Sequence, residues 1–163
     1  MKKIASIGYR VRTVFGIGLA VLLGAAVAPA SEKMVGHAAD FRSWTHTKSM
    51  VIVDRSNGLY GMHNVYANNI ALPTLKEGGA YKDGAEFAVS FHELETKDGG
   101  TTQGKKIKVG FMRKDEKAAK TDGWIYSALG PDGLPKEIDP VKACFDCHKK
   151  AKDSDFIFSK YVD

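Results

Sequence analysis

The two cysteines of the chain stand three residues apart and are followed at once by a histidine, in Cys144-Phe145-Asp146-Cys147-His148, with 15 residues after it. On a helical turn, residues i, i+3 and i+4 share one face, so this spacing sets two thiols and an imidazole side by side. A further partner for the cluster must come from the N-terminal side, because none of the trailing residues is Met or His. Two cysteines cannot build a disulfide scaffold, so the chain needs an apolar core of its own. Hydrophobic residues at 44% and charged residues at 26% of 163 are ordinary globular values, which excludes wholesale disorder.

C-x-x-C-H is the signature of covalent c-type haem attachment. Cys144 and Cys147 form thioethers with the two porphyrin vinyl groups, and His148 presents its imidazole to the iron as proximal ligand. A zinc site needs two more ligands, and His37, His46, His63 and His92 are scattered along the chain. A thioredoxin-like dithiol needs a β-α-β context, which the position of the motif does not offer. In the small electron-transfer cytochromes c the motif is near the N-terminus, with a Met ligand downstream; here it is at the other end. The four-helix cytochromes c′ share the C-terminal motif but need long helices, whereas residues 50–127 read as strands.

Residues 1–30 carry Lys2, Lys3, Arg10 and Arg12 and no acid, then an apolar run from Val14 to Ala28 and the small-residue end Ala28-Pro29-Ala30. These are the three parts of a secretory signal peptide, and the run is shorter than the roughly 20 residues of a membrane span. Residues 1–30 are therefore expected to be a signal peptide, and residues 31–163 one haem c domain delivered to the periplasm. An uncleaved N-terminal anchor is the alternative, since Pro29 sits beside the cleavage site. Without the leader the charge is nearly balanced, 20 basic against 19 acidic side chains. The concentrated basic face that nucleic acid requires is missing.

Along the remainder, Phe41, Trp44 and Lys48 have helical spacing, which predicts a short helix over 38–48. Met50–Val53 and Tyr60–Ala67 read as strands joined by turn residues, and Asn68 caps a short helix ending at Gly78-Gly79. Strict alternation in Ala85–Leu94 and in Lys105–Arg113 predicts two half-buried strands, joined by a loop over Thr96–Gly104 as an antiparallel hairpin. Gly123–Ser127 adds a strand, residues 130–135 a loop, and Asp139–Lys150 a helix with Pro140 in its first turn. The fold class is α+β, mostly antiparallel sheet with a few short helices, the haem attached at a C-terminal helical turn.

Several segments in this order resemble the cytochrome P-460 and cytochrome c′-β superfamily. They are Phe41-Arg42-Ser43-Trp44, Lys48–Ile52, His63–Asn68, Tyr81-Lys82-Asp83-Gly84, Met112–Asp115, Thr121–Trp124, Cys144–His148 and Asp155–Ser159. Two places depart from the family pattern: Lys82-Asp83-Gly84 stands for Pro-Asp-Gly, and Asp122-Gly123-Trp124 for Gly-Gly-Trp. The resemblance implies an antiparallel domain whose distal haem side is open or apolar. It implies one of two activities: oxidation of hydroxylamine with a lysine cross-linked to the porphyrin, or binding of nitric oxide without the cross-link. Homodimers are common in such proteins.

On that resemblance the cross-link lysine is sought just before Tyr81, where Lys76 is the candidate beside Glu77; the alternative is a solvated lysine. Phe87, Phe91 and Phe111, on the inward strand faces, are candidates for an apolar distal pocket, which favours uncharged diatomic ligands; plain core roles compete. His63 and His92 are candidate distal bases or sixth ligands, and Met50, Met62 and Met112 candidate thioether ligands, against the usual role of Met as core filler. Trp44 and Trp124 read as packing residues. Lys149, Lys150 and Lys152 would steer an acidic redox partner or form a solvated helix end. The competing functions are small-nitrogen ligand or redox chemistry at an open iron, electron transfer with six-coordinate iron, and, ranked last for want of an output domain, haem-based sensing.

Overall fold

A computed structural model describes residues 40–162; the expected signal peptide lies outside these residues. Six strands form one antiparallel sheet in chain order, each paired with its sequence neighbour: β1 (Thr45–Ile52), β2 (Gly61–Ala67), β3 (Glu86–Lys97), β4 (Gly100–Lys114), β5 (Trp124–Leu129) and β6 (Pro135–Lys136). Helix α1 (Ala71–Glu77) joins β2 to β3. After β6 the chain makes a π-helical turn, Val141–Phe145, one turn of α-helix, α2 (Asp146–His148), and a 3₁₀ stretch, Lys149–Ser154.

The predicted helix over 38–48 is corrected. A 3₁₀ turn spans Phe41–Ser43, Trp44 is already extended, and β1 begins at Thr45. Phe41 and Trp44 still reach one apolar cluster, so their spacing reported a shared neighbour rather than a helix. The β-branched Thr45 and Thr47 favour the strand. Thr47 sits at a bulge, and its hydroxyl donates to the Val65 carbonyl at 3.2 Å. Asn68 caps α1 as expected: its Oδ1 accepts from the Ala71 and Glu86 amides at 2.9 and 3.1 Å, and its Nδ2 donates to the Gly84 carbonyl.

The β3–β4 hairpin is longer than its alternating cores. Asp98 and Gly99 both have positive φ, 51° and 78°, which suits the tight two-residue turn that matches strand twist. The expected 96–104 loop is therefore mostly strand, with Lys97 opposite Gly100. Both departures from the family pattern fall in turns. Asp122 adopts the left-handed conformation, φ 49°, where glycine is the easier residue and Asp among the better tolerated.

Cross-strand partners share a face, so the registers sort the sheet into two sides. Ala67, Phe87, Met112 and Tyr126 line one side, together with α1 and the C-terminal segment. Tyr66, Ala88, Phe111 and Ser127 line the other, where Phe41 and Trp44 pack. We call these the motif face and the far face.

Gly61 opens β2 with φ 123°, and a Cβ there would meet the His92 carbonyl oxygen at 2.2 Å. Gly61→Ala is expected to lose roughly 2–3 kcal/mol, since neither backbone can yield without breaking the β2–β3 ladder. Urea unfolding measures this, and an unchanged midpoint would contradict it.

Candidate functional site

The motif stands where the chain returns to the sheet. Asp139 starts the turn: its carboxylate accepts from the Val141 and Lys142 amides at 3.0 and 3.2 Å. The Asp146 amide reaches back to the Val141 carbonyl, giving a π-type turn around Cys144, a widening often seen at functional sites. Both thiols are free; Cys144 is half-buried and Cys147 exposed. Burial pushes the Cys144 thiol up, opposed by the Lys108 ammonium. Cys144 and Phe145 pack on the motif-face cluster that holds Trp124, Tyr126, Phe156 and Ile157.

His148 is oriented by the backbone. Its Nδ1 lies 2.8 Å from the Phe156 carbonyl oxygen. A carbonyl can only accept, so Nδ1 carries the proton and Nε2 keeps its lone pair. Burial holds the imidazole below its ordinary pKa, which keeps it neutral. Tyr126 and Phe158 flank the ring at 5.3 Å each. The Tyr126 hydroxyl is buried without a hydrogen-bond partner.

The Phe156 carbonyl is placed by an unusual turn. Asp155 and Phe156 are both left-handed, φ 47° and 68°, at about 1–3 kcal/mol each for residues other than glycine. The Asp155 carboxylate takes Lys114 Nζ at 2.8 and 3.0 Å, Trp124 Nε1 at 3.3 Å and the Tyr81 amide at 2.8 Å. Neither Asp155 nor Lys114 was singled out for a role in the sequence, since nothing in Asp-Phe announces a left-handed pair.

The predicted pocket residues divide. Phe87 lies in the motif-face core against Tyr81 and Trp124, with ring centroids at 5.3 and 6.3 Å. Phe91 is on the same face, its ring tilted against His63 with centroids at 4.5 Å and under Lys108 Nζ at 4.7 Å. Phe111 lies apart from these two: it pairs with Ala88 and packs on Phe41 at 5.7 Å on the far face. His63 is on the motif face and buried, its Nε2 unpartnered. His92 is on the far face, its Nδ1 3.3 Å from the Gly104 carbonyl. Met112 fills the motif-face core, Met50 is exposed on the edge strand, and Met62 pairs with His92 on the far face.

Lys76 ends α1, exposed, with Nζ 4.4 Å above the Tyr161 ring. Lys149 pairs with Asp146 at 2.6 Å, and Lys150 and Lys152 are exposed. Trp124 is a packing residue in the motif-face core, and Trp44 packs at the edge of the far-face cluster.

Tyr81 gives this corner a pH signature. Burial, and then the Asp155 charge, push its phenol from 10.0 up to about 12. The folded protein holds this proton more tightly than the unfolded chain, so the contribution is complete below pH 10 and lost as pH rises toward 12. Melting temperature is expected to fall as pH rises from about 10 to about 12, less steeply in Tyr81→Phe. Equal slopes would contradict the assignment. Tyr126 is shifted in the same direction, so part of the slope remains.

The donor set fits a covalently held haem: two free thiols and an imidazole with a fixed tautomer and an available Nε2, beside a mostly apolar sheet face. Cys144 and Cys147 would carry the group and His148 Nε2 would bind the iron. The family model for Cytochrome P460 matches residues 38–159. No curated protein matches the chain.

Proposed function

The chain belongs to the cytochrome P460 family, and from that premise we propose that it is an exported, periplasmic cytochrome. It carries one haem c through Cys144 and Cys147 and acts on small nitrogen species, nitric oxide or hydroxylamine. The observation that carries the reading is the His148 bond to the Phe156 carbonyl at 2.8 Å, the way metal-binding histidines are usually oriented. Export is supported by the composition of residues 1–30.

Bound haem supplies an iron that exchanges one electron and accepts a small ligand. The chain supplies the rest. Cys144 and Cys147 fix the group to the C-terminal turn. The Phe156 carbonyl polarises the His148 N–H and makes Nε2 a stronger donor. Val65, Val89 and Phe91 give the motif face an apolar stretch, which favours neutral ligands, with the Lys108 ammonium as the charge bordering it at Phe91. Electrons would leave to a periplasmic partner near the exposed Cys147, beside Lys150 and Lys152. A cross-link through Lys76 would require that side chain to leave the Tyr161 ring, so we favour the reading without it.

The test is the spin state of the ferric protein, by optical and paramagnetic resonance spectroscopy, followed by titration with nitric oxide. A high-spin, five-coordinate iron that binds nitric oxide is expected. A low-spin iron inert to nitric oxide overturns the reading in favour of electron transfer. Conversion of that iron to high spin in His63→Ala would then name the buried His63 as sixth ligand.

A further inference from the structure

We propose that Asp155 is the positioning residue of the proximal imidazole, fixing through its carboxylate the backbone carbonyl to which His148 donates. The inference rests on the reading of His148 as iron ligand. The 3₁₀ stretch ends at Ser154, and the next two residues turn left-handed in succession, so the carbonyl of Phe156 faces back toward α2. Bonds within the segment shape this turn: the Phe156 amide donates to the Ala151 carbonyl at 2.8 Å, and the Ser154 hydroxyl to the Ile157 carbonyl at 2.7 Å.

Those bonds do not fix where the turn sits against the sheet. The side chains of Phe156 and Ile157 set its depth by packing, but apolar contacts are poor at fixing rotation. The carboxylate supplies direction. It joins the turn to β4 through Lys114, to β5 through Trp124 and to the connection between α1 and β3 through Tyr81, residues 41, 31 and 74 positions away. Both partners of the ion pair are largely buried, with side chains 12% and 14% exposed, so the geometry is not loosened by solvent. A carbonyl held in this way sets how much electron density the imidazole lends to a metal. Asp155 thus acts on the iron through three links: carboxylate, turn and carbonyl.

The experiment uses the haem-loaded protein, reduced, and reads the iron–histidine stretching band by resonance Raman. Asp155→Asn keeps a residue that tolerates the left-handed conformation and removes the charge facing Lys114. Its band is expected at lower frequency than in the parent, with covalent haem content and far-ultraviolet circular dichroism unchanged. Lys114→Met is expected to move the band in the same direction, and the double variant no further than the larger single shift. If Asp155→Asn does not accumulate, Lys114→Met decides alone. A purely structural role lowers the melting temperature and leaves the band in place; that result overturns the proposal while leaving the ligand assignment standing. Absence of any iron–histidine band in the five-coordinate parent overturns both.

Discussion

His148→Ala is expected to abolish the native haem spectrum while leaving the porphyrin attached. The proposed thioether positions, Cys144 and Cys147, are untouched, so mass spectrometry of the denatured variant should still show the chain plus haem. The loss is confined to ligation, because His148 Nε2 is the nitrogen left free once Nδ1 is committed to the Phe156 carbonyl. The cost to the fold is modest, about 1 kcal/mol for the lost hydrogen bond, since the ring is half-buried between Tyr126 and Phe158. Added imidazole should occupy the space vacated by the ring and restore much of the parent spectrum. Parent-like ligation in the variant without added imidazole would sink the assignment of His148.

Trp124→Ala is expected to be the most damaging core substitution. The residue is 0% exposed. Its ring packs on Tyr81 and Phe87, the Lys114 ammonium lies 5.0 Å above it, and its N–H reaches Asp155. Removing it opens a large cavity at a cost of roughly 3–5 kcal/mol. For a domain of this size that corresponds to a fall in melting temperature on the order of 10–20 °C. Trp124→Phe retains most of the volume and should lose much less. Similar losses in the two variants would mean that the indole N–H, rather than the volume, matters most. Because Trp124 also contacts Asp155, the alanine variant should disturb the spectrum of whatever fraction folds.

Much of this fold was legible because its strands are half-buried and alternate, and because Asn68 and Gly78 bracket α1. The motif was legible because its chemistry is local: three side chains within five residues. What misled was relative phase. Alternation within one strand reports an inward face but does not say whether the inward faces of two strands coincide. The two-residue turn at Asp98-Gly99 decides it, since such a turn pairs odd-numbered residues with even-numbered ones. Phe87 therefore sits opposite Met112, and Phe111 opposite Ala88. The two irregularities at Phe91/His92 and His92/Leu94 shift the register together by an even step and preserve that parity. A nine-residue loop between 96 and 104 leaves the phase open, whereas the Asp-Gly turn closes it.

The segment over 38–48 misled for a different reason. Phe41 and Trp44 do meet a common neighbour, but across a 3₁₀ turn and the start of an edge strand. The Asp155 arrangement left little trace in the sequence, because its partners lie up to 74 positions away.

The strand order has a consequence for how the chain assembles. Each strand pairs with its immediate predecessor, so every step closes a local loop, the longest of them being the segment with α1 between β2 and β3. None of these ladders draws on residues beyond Lys136. The sheet can form first, and the C-terminal segment then docks on a finished surface, latched by Asp155. Cys144 and Cys147 lie in this segment, so on the proposed reading they would stay accessible for haem attachment while the sheet is already formed.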